Sequence, residues 1–360
     1  MDTGSGQTGR RARPARPRSS VTLLDVARAA GVSLATASRV VNGSVSRRPA
    51  PELIKKVTEA AERLGYSANA SAQAIARGVN SVVGLIVSDI ADPYFSSIAA
   101  GVTAEAEEQG LLVTLASTKG RPMREVEYLG ALRRQRPMAI LLVGSRRADP
   151  AAEQRLIQEL RAFREDGGRA AAVSQPTLQI DTVAVRNAEG AADLARALVA
   201  QGHTRFGVLS GPADLQTAAE RVTGFRGGLR GTGARLAARN LQHGEFTRDG
   251  GQQAARELLE RSPDIGCLFA VNDVMAIGAM AGARELGYRV PEDLAIAGFD
   301  DIPSAADTFP PLSTVRIDLE AVGRDAMRFV LEQSGAAAPR VKYVTGDVIL
   351  RASTDPSPPG

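Results

Sequence analysis

Thr22-Leu23-Leu24-Asp25-Val26-Ala27-Arg28-Ala29-Ala30-Gly31-Val32-Ser33, continuing as Leu34-Ala35-Thr36-Ala37-Ser38-Arg39-Val40-Val41-Asn42-Gly43, is the stretch that decides the fold. Thr22 followed three residues later by Asp25 has the spacing of a capping box, which predicts a helix starting there. Gly31 permits the left-handed turn that ends it, and Ser33 can cap a second helix over Leu34 to Val41. On that second helix Ala37, Val40 and Val41 point inward, while Ala35, Ser38 and Arg39 point outward. Two short helices joined by a tight glycine turn predict a helix-turn-helix, whose second helix can enter a major groove. A third helix, about Glu52 to Leu64, puts Leu53, Val57, Ala60, Ala61 and Leu64 on one face and closes a small core.

Upstream, residues 1–20 are Gly, Ser, Pro and Arg with hardly any large apolar side chain, so this tail is expected to be disordered. Its arginines can add weak, salt-sensitive attraction to DNA or simply be solvated. Gly4 to Arg10 lacks the Lys-Ser/Thr ending of a phosphate loop. Residues 1–80 carry a net charge of +8 and the remainder −4. A basic head on a mildly acidic body points to a polyanionic partner for the head. The chain of 360 residues is 44% hydrophobic and 23% charged, ordinary for a soluble protein, with no apolar run long enough to span a membrane. The first residues lack the apolar segment of a signal peptide, and the single cysteine, Cys267, cannot form an internal disulfide. Both features lead us to expect a cytoplasmic protein.

The quoted stretch, with Leu64-Gly65-Tyr66 and Asn69 after it, closely resembles the head of the lactose-repressor (LacI/GalR) family. The resemblance implies that Leu34, Ala35 and Arg39 read base edges, and that Thr22, Ser33, Thr36, Ser38, Asn42 and Tyr66 grip phosphates. Short hydroxyls at a helix N-terminus suit phosphate, and Arg suits a bidentate contact to guanine. The plainer alternative, that Thr22 and Ser33 only cap helices, is compatible with both roles. Residues 67–79 correspond to the family's hinge helix, which places an apolar wedge in the minor groove. Ile75 stands at the wedge position and Ala68 where the family has proline; both depart from its pattern, and a plain flexible linker is the alternative.

From residue 80 to 356 apolar runs recur: Val82 to Val87, Leu111 to Leu115, Ala139 to Val143, Phe206 to Leu209, Cys267 to Val271 and Leu294 to Phe299. Near-continuous apolar strands belong to parallel sheets covered on both faces, and the amphipathic stretches between them predict an α/β body. In open parallel sheets ligands bind beyond the carboxyl ends of the strands, which makes Ser88-Asp89, Ser145-Arg146, Asn272-Asp273 and Asp300-Asp301 candidates. Any strand must end in polar residues, so position alone does not choose among them.

The family resemblance continues through the body, to about residue 355. It runs through Asp92-Pro93-Tyr94-Phe95, Arg221-Val222-Thr223-Gly224-Phe225, Asn272-Asp273, Gly298-Phe299-Asp300-Asp301 and Pro311-Leu312-Ser313-Thr314-Val315. It implies two lobes of parallel sheet, like the periplasmic sugar-binding proteins. Arg221, Asn272 and Asp300 would be the principal contacts to a small-molecule effector, and Tyr94 and Phe95 an apolar wall. Arg186-Asn187 stands where the family has Asp-Asn, and Ser174-Gln175 where it has an acid. A positive residue in place of an acid favours an anionic, sugar-like effector, provided Arg186 faces the cleft and not solvent.

The two histidines, His203 and His243, give no zinc spacing, and no nucleophile elbow is present. We expect no enzyme activity, no metal and no cofactor. A solute-binding protein that feeds a transporter would share the body, yet it needs a signal peptide and no basic head. The resemblance implies a transcriptional regulator, a repressor that binds a palindromic operator in double-stranded DNA as a homodimer under effector control. No heptad repeat follows Val348 to make a tetramer.

Overall fold

A computed structural model describes residues 21–42, 49–66, 81–332 and 338–355. The chain falls into two compact units, 1–80 and 81–360. The Arg-rich tail, Gly43, Asn69 and Ile75 lie outside the described residues, and of Asn42 only the helical backbone is described.

The head unit is three helices. In α1 (Leu23–Ala30) the capping box closes in both directions. The Asp25 amide donates to Thr22 Oγ1 at 3.3 Å and the Thr22 amide to Asp25 Oδ2 at 2.9 Å. Gly31, at φ 64°, takes the left-handed conformation that a side chain would disfavour and ends the helix. Ser33 then caps α2 (Leu34–Asn42), its Oγ accepting from the Thr36 amide at 3.1 Å. In α3 (Pro51–Leu64) proline occupies the first turn, where its missing N–H costs nothing. Val26, Ala27, Ala37, Val57 and Ala60 form the buried centre.

The body unit has two lobes. The first contains β1 (Val82–Val87), α4 (Pro93–Glu108), β2 (Leu112–Ser117), α5 (Pro122–Arg134), β3 (Ala139–Val143), α6 (Pro150–Glu165), β4 (Arg169–Val173) and β5 (Asp181–Val185). The chain then crosses to the second lobe. There it forms α7 (Asn187–Ala200), β6 (Phe206–Ser210), α8 (Gln216–Leu229), β7 (Leu241–His243), α9 (Arg248–Arg261), β8 (Cys267–Ala270), α10 (Asp273–Glu285), β9 (Ala295–Ala297), α11 (Pro303–Ala306) and β10 (Thr314–Arg316). It returns to the first lobe for α12 (Leu319–Leu331) and β11 (Val341–Val344), and crosses a third time to β12 (Asp347–Ile349). The first sheet runs β11-β5-β4-β3-β1-β2, the second β7-β6-β8-β9, and every pairing within them is parallel. β10 and β12 pair antiparallel between the crossings.

Four of the apolar runs become the interior strands β1, β3, β6 and β8 because helices cover both sheet faces, β3 being buried at all five positions, while the runs from Leu111 and Leu294 form the edge strands β2 and β9. The last run is shorter than its apolar pattern. Beyond β9 the backbone leaves the sheet to pair with the crossing strand, the Asp300 amide donating to the Val315 carbonyl at 2.8 Å. That detour places Asp300 and Asp301 at positive φ, 119° and 55°. Strain of this kind in non-glycine residues concentrates at functional positions.

Candidate DNA-reading face and effector cleft

On the head, α2 presents Leu34, 48% exposed, together with exposed Ala35 and Arg39. Apolar contacts among Ala37, Val40 and Val41 hold the opposite side against α1 and α3, which is why these three side chains face outward. Ser33 Oγ and Thr36 Oγ1 sit 2.9 Å apart at the exposed start of α2, and Thr22 is exposed at the start of α1. Ser38 is half-buried, and half-buried Tyr66 packs against the head core, so its ring also serves the fold.

In the body, the motif Arg221-x-x-Gly224-Phe225 explains itself through α8. Phe225 is buried between the rings of Phe206 and Phe269. Gly224 presses on α7: a Cβ there would lie 2.1 Å from the Ala188 carbonyl oxygen. This approach brings Arg221 within reach of Asn187, whose Oδ1 accepts from Nε at 2.9 Å. The guanidinium also donates to the Val271 carbonyl at 2.7 Å and to Asp300 Oδ1 at 2.7 Å, and it lies 3.8 Å from the Phe299 ring centre. Arg221 and Asp300 are 2% and 3% exposed. Burial pushes the Asp300 carboxyl up to about 7 against the opposing pull of Arg221. Asn272 caps α10, its Oδ1 accepting from the Met275 amide at 3.0 Å. Asp273 beside it is pushed up by burial to about 6; it accepts from Thr314 Oγ1 and from the Ile302 amide, tying α10 to the crossing strand.

A cavity of about 380 Å³ opens between the lobes at the carboxyl ends of β1, β3 and β6. Phe95 lines it; Tyr94 stands edge-on to Phe95 at 5.0 Å, close enough to Asp300 and Arg221 to feel both charges. Arg221, Asn272 and Asp300 are not part of the cavity wall, since the pair is folded onto itself behind it. Arg186 lies elsewhere. Its guanidinium stacks 4.6 Å from the Tyr343 ring and pairs with Glu189 in the first turn of α7. Arg186 stands outside the cavity wall, as Arg221, Asn272 and Asp300 do.

Glu125 and Glu220 escaped the sequence reading, and Gln175 stood out there only as replacing an acid of the family. Arg146, 6% exposed, makes a two-pronged ion pair with Glu125 at 2.9 Å on each arm. Gln175 bridges the lobes, accepting from the Arg146 amide and donating to Thr217 and Glu220 of α8. Glu220 in turn accepts from Asn187, so an unbroken polar chain runs from Arg146 through Gln175, Glu220 and Asn187 to Arg221 and Asp300. The strand-end rule marked Arg146, but nothing local marks its partner on α5.

Two family models match the chain: bacterial regulatory proteins of the lacI family over residues 22–69, and a periplasmic binding protein-like domain over 195–354. The HTH-type transcriptional regulator CelR of Thermobifida fusca is 34% identical over 318 residues, 87% of this chain and 91% of its own. The chain belongs to the LacI family. As a LacI-family member it is a DNA-binding transcriptional regulator with a helix-turn-helix head and a two-lobed α/β body. This LacI-family regulator is also 31% identical over 337 residues to the transcriptional repressor CytR of Escherichia coli, spanning 92% of this chain and 96% of CytR. Its structure resembles that of the lac repressor dimer bound to operator and the anti-inducer ONPF, with TM-score 0.80 and 26% identity over 93% of this chain and 99% of that one. The CelR–cellobiose complex matches with TM-score 0.68 and 30% identity, over 94% and 100%. The relatives are regulators and not enzymes. Among the described residues no group of three or more His, Cys, Asp or Glu is placed to hold a metal ion, and no helix is long and apolar enough to cross a membrane.

Proposed function

We infer that this regulator represses transcription in the cytoplasm, binding a palindromic operator as a homodimer, and that a sugar-like molecule held between the lobes sets its affinity for DNA. The observation that carries the reading is the buried Arg221–Asp300 pair behind an interlobe cavity, in a chain whose other unit exposes Arg39 on α2. Residues 21–66 are the DNA-binding domain, 67–79 the hinge and 80–356 the effector-binding and dimerisation domain, with no catalytic role for any of them. Arg39 reads a base, Leu34 and Ala35 flank it, and Thr22, Ser33, Thr36, Ser38, Asn42 and Tyr66 contact the backbone. An effector would engage Arg221, Asn272 and Asp300, with Phe95 and Tyr94 as its apolar wall. A relative with the same fold is known as a complex with cellobiose, which supports a sugar-like effector.

Closing the lobes on an effector would change the two subunits' grip on the operator, with a coupling of roughly 1–3 kcal/mol. The test is a mobility-shift titration on a palindromic operator with and without a panel of sugars. The wild type should change its affinity with one sugar, while Asp300→Ala and Arg221→Ala bind operator normally and ignore that sugar. Loss of operator binding in both variants, measured well below their melting transitions, would place the pair in dimerisation or lobe contact instead.

A further inference from the structure

The second lobe has a pole facing away from the interlobe cavity, where β6, β7 and β8 begin. Three chain segments meet there: 204–206, 230–240 and 261–267. Arg205 and Arg235 stand directly opposite each other in a parallel bridge. The Arg235 amide donates to the Thr204 carbonyl at 2.8 Å, and the Phe206 amide to the Arg235 carbonyl at 2.9 Å. The Gly266 amide donates to the Arg205 carbonyl at 3.0 Å, which lays the third segment on the other side. Arg261 Nη2 donates to the Arg239 carbonyl at 3.0 Å and ties the two flanking segments together.

These segments carry five arginines, Arg205, Arg230, Arg235, Arg239 and Arg261, all exposed, against a single acid, Asp264. We propose that this pole is a docking surface for an acidic segment of a partner protein, a short extended stretch with neighbouring carboxylates.

The first argument is unmatched charge. Elsewhere on the body Arg133 and Arg340 each hold two carboxylates. Arg205, Arg230 and Arg235 have no ion pair among the described residues, and Arg239 has only Asp264, at 3.8 Å. Like charges directly opposite each other in a ladder are destabilising. A carboxylate laid between Arg205 and Arg235 removes that repulsion and can accept two N–H bonds from each guanidinium fork. Helix ends account for part of the cluster, since Arg230 caps α8 and Arg261 lies in the last turn of α9. Arg205, Arg235 and Arg239 belong to no α-helix, so no helix dipole calls for them.

The second argument is size. Neighbouring extended segments lie about 4.8 Å apart, so three of them span about 10 Å. That is the length of about three extended residues. The patch is bounded on the β9 side, where Arg289 is held by Asp293 and where Asp355 follows Thr354, whose carbonyl meets His203 Nε2 at 3.0 Å. Residues 81–360 as a whole carry a charge of −4. A stiff polyanion such as duplex DNA would run off this small basic patch onto acidic surface within about one Debye length, roughly 8 Å. A short acidic segment would not.

The test titrates the full chain with a fluorescein-labelled hexaglutamate peptide at low salt, followed by anisotropy. A benzophenone-bearing form of the same peptide maps the site by crosslinking. Arg205→Ala/Arg235→Ala and Arg235→Glu are the variants, and random duplex DNA is the second ligand. The peptide should crosslink within the three segments and bind each variant about tenfold less tightly. Duplex DNA should bind all three proteins alike. Neither variant should melt below the wild type, and Arg235→Glu should melt about 1–2 °C higher, because it turns the opposed arginines into an ion pair. No peptide binding, crosslinks confined to the head, or equal peptide affinity in the variants would overturn the proposal. A loss of duplex affinity as large as the loss of peptide affinity would make the pole a nucleic-acid surface and overturn it too. So would a lowered melting temperature in either variant, since the two arginines would then be serving the fold.

Discussion

Removing Arg221 tests the buried pair directly. Asp300 is 3% exposed and its partner guanidinium 2.7 Å away, so Arg221→Met strands a carboxylate in the interior. Breaking a buried pair from one side costs about 3–5 kcal/mol. In a domain of this size that lowers the melting temperature by about 6–10 °C, at about 2 °C for each kcal/mol. The stranded carboxyl has an escape, because it can take up a proton. Asp300 is already pushed up to about 7 with Arg221 present, and losing that cation raises it further. A carboxyl raised in the folded state contributes stability that is fully present below its unfolded value, about 4, and lost as pH rises through its folded value. The gap between variant and wild type should therefore be small at pH 5 and largest above pH 8. Asn187 and the Val271 carbonyl lose their donor in every Arg221 variant, so that cost cancels when Arg221→Met is compared with Arg221→Met/Asp300→Leu. The double variant, with no lone charge, should melt above the single. Calorimetric unfolding from pH 5 to pH 9 reads both effects. A pH-independent deficit, or a double variant whose loss is the sum of the two singles, would refute the coupled pair.

Arg39→Ala should weaken operator binding ten- to a hundredfold while sparing random DNA, in keeping with the loss of one bidentate base contact; equal weakening on both, read by competition titration, would make Arg39 a phosphate contact. Ile75→Ala should reduce operator affinity and DNA bending together, and unchanged bending by fluorescence transfer would rule out the wedge. Gly224→Ala forces α7 and α8 apart against the Ala188 carbonyl and should cost about 1–3 kcal/mol, so unchanged melting would contradict the close packing. Arg186→Asp should leave effector affinity unaltered in a calorimetric titration, since Arg186 packs on Tyr343; a changed affinity would return Arg186 to the cleft.

The head was legible because its determinants are local. Thr22, Asp25, Gly31 and Ser33 lie within a dozen residues, and each acts on its own helix end. The central strands were legible too, because burial on both faces leaves an unbroken apolar run. β4 was not: it reads Arg-Ala-Ala-Ala-Val, and alanine favours helix, so only pairing with β3 and β5 makes it a strand. In the cleft, the positions at strand ends were readable but side-chain directions were not. Arg186 sits at the end of β5 as expected, yet its direction is set by Tyr343, far along the chain. Arg146 was visible as a polar residue after β3, while its ion-pair partner Glu125 comes from a helix earlier in sequence.

The triple passage between lobes constrains how the protein is made. The first lobe lacks α12 and β11 until residue 344 has left the ribosome, because α12 packs on α4 and β11 completes the sheet beside β5. Until then β5 presents an open edge, the kind of surface that pairs with the wrong chain. The second lobe stands in the same position, awaiting β12 to pair with β10. A nascent chain therefore carries two unfinished halves for most of its synthesis, and a premature stop before residue 344 should yield insoluble fragments and no free-standing lobe.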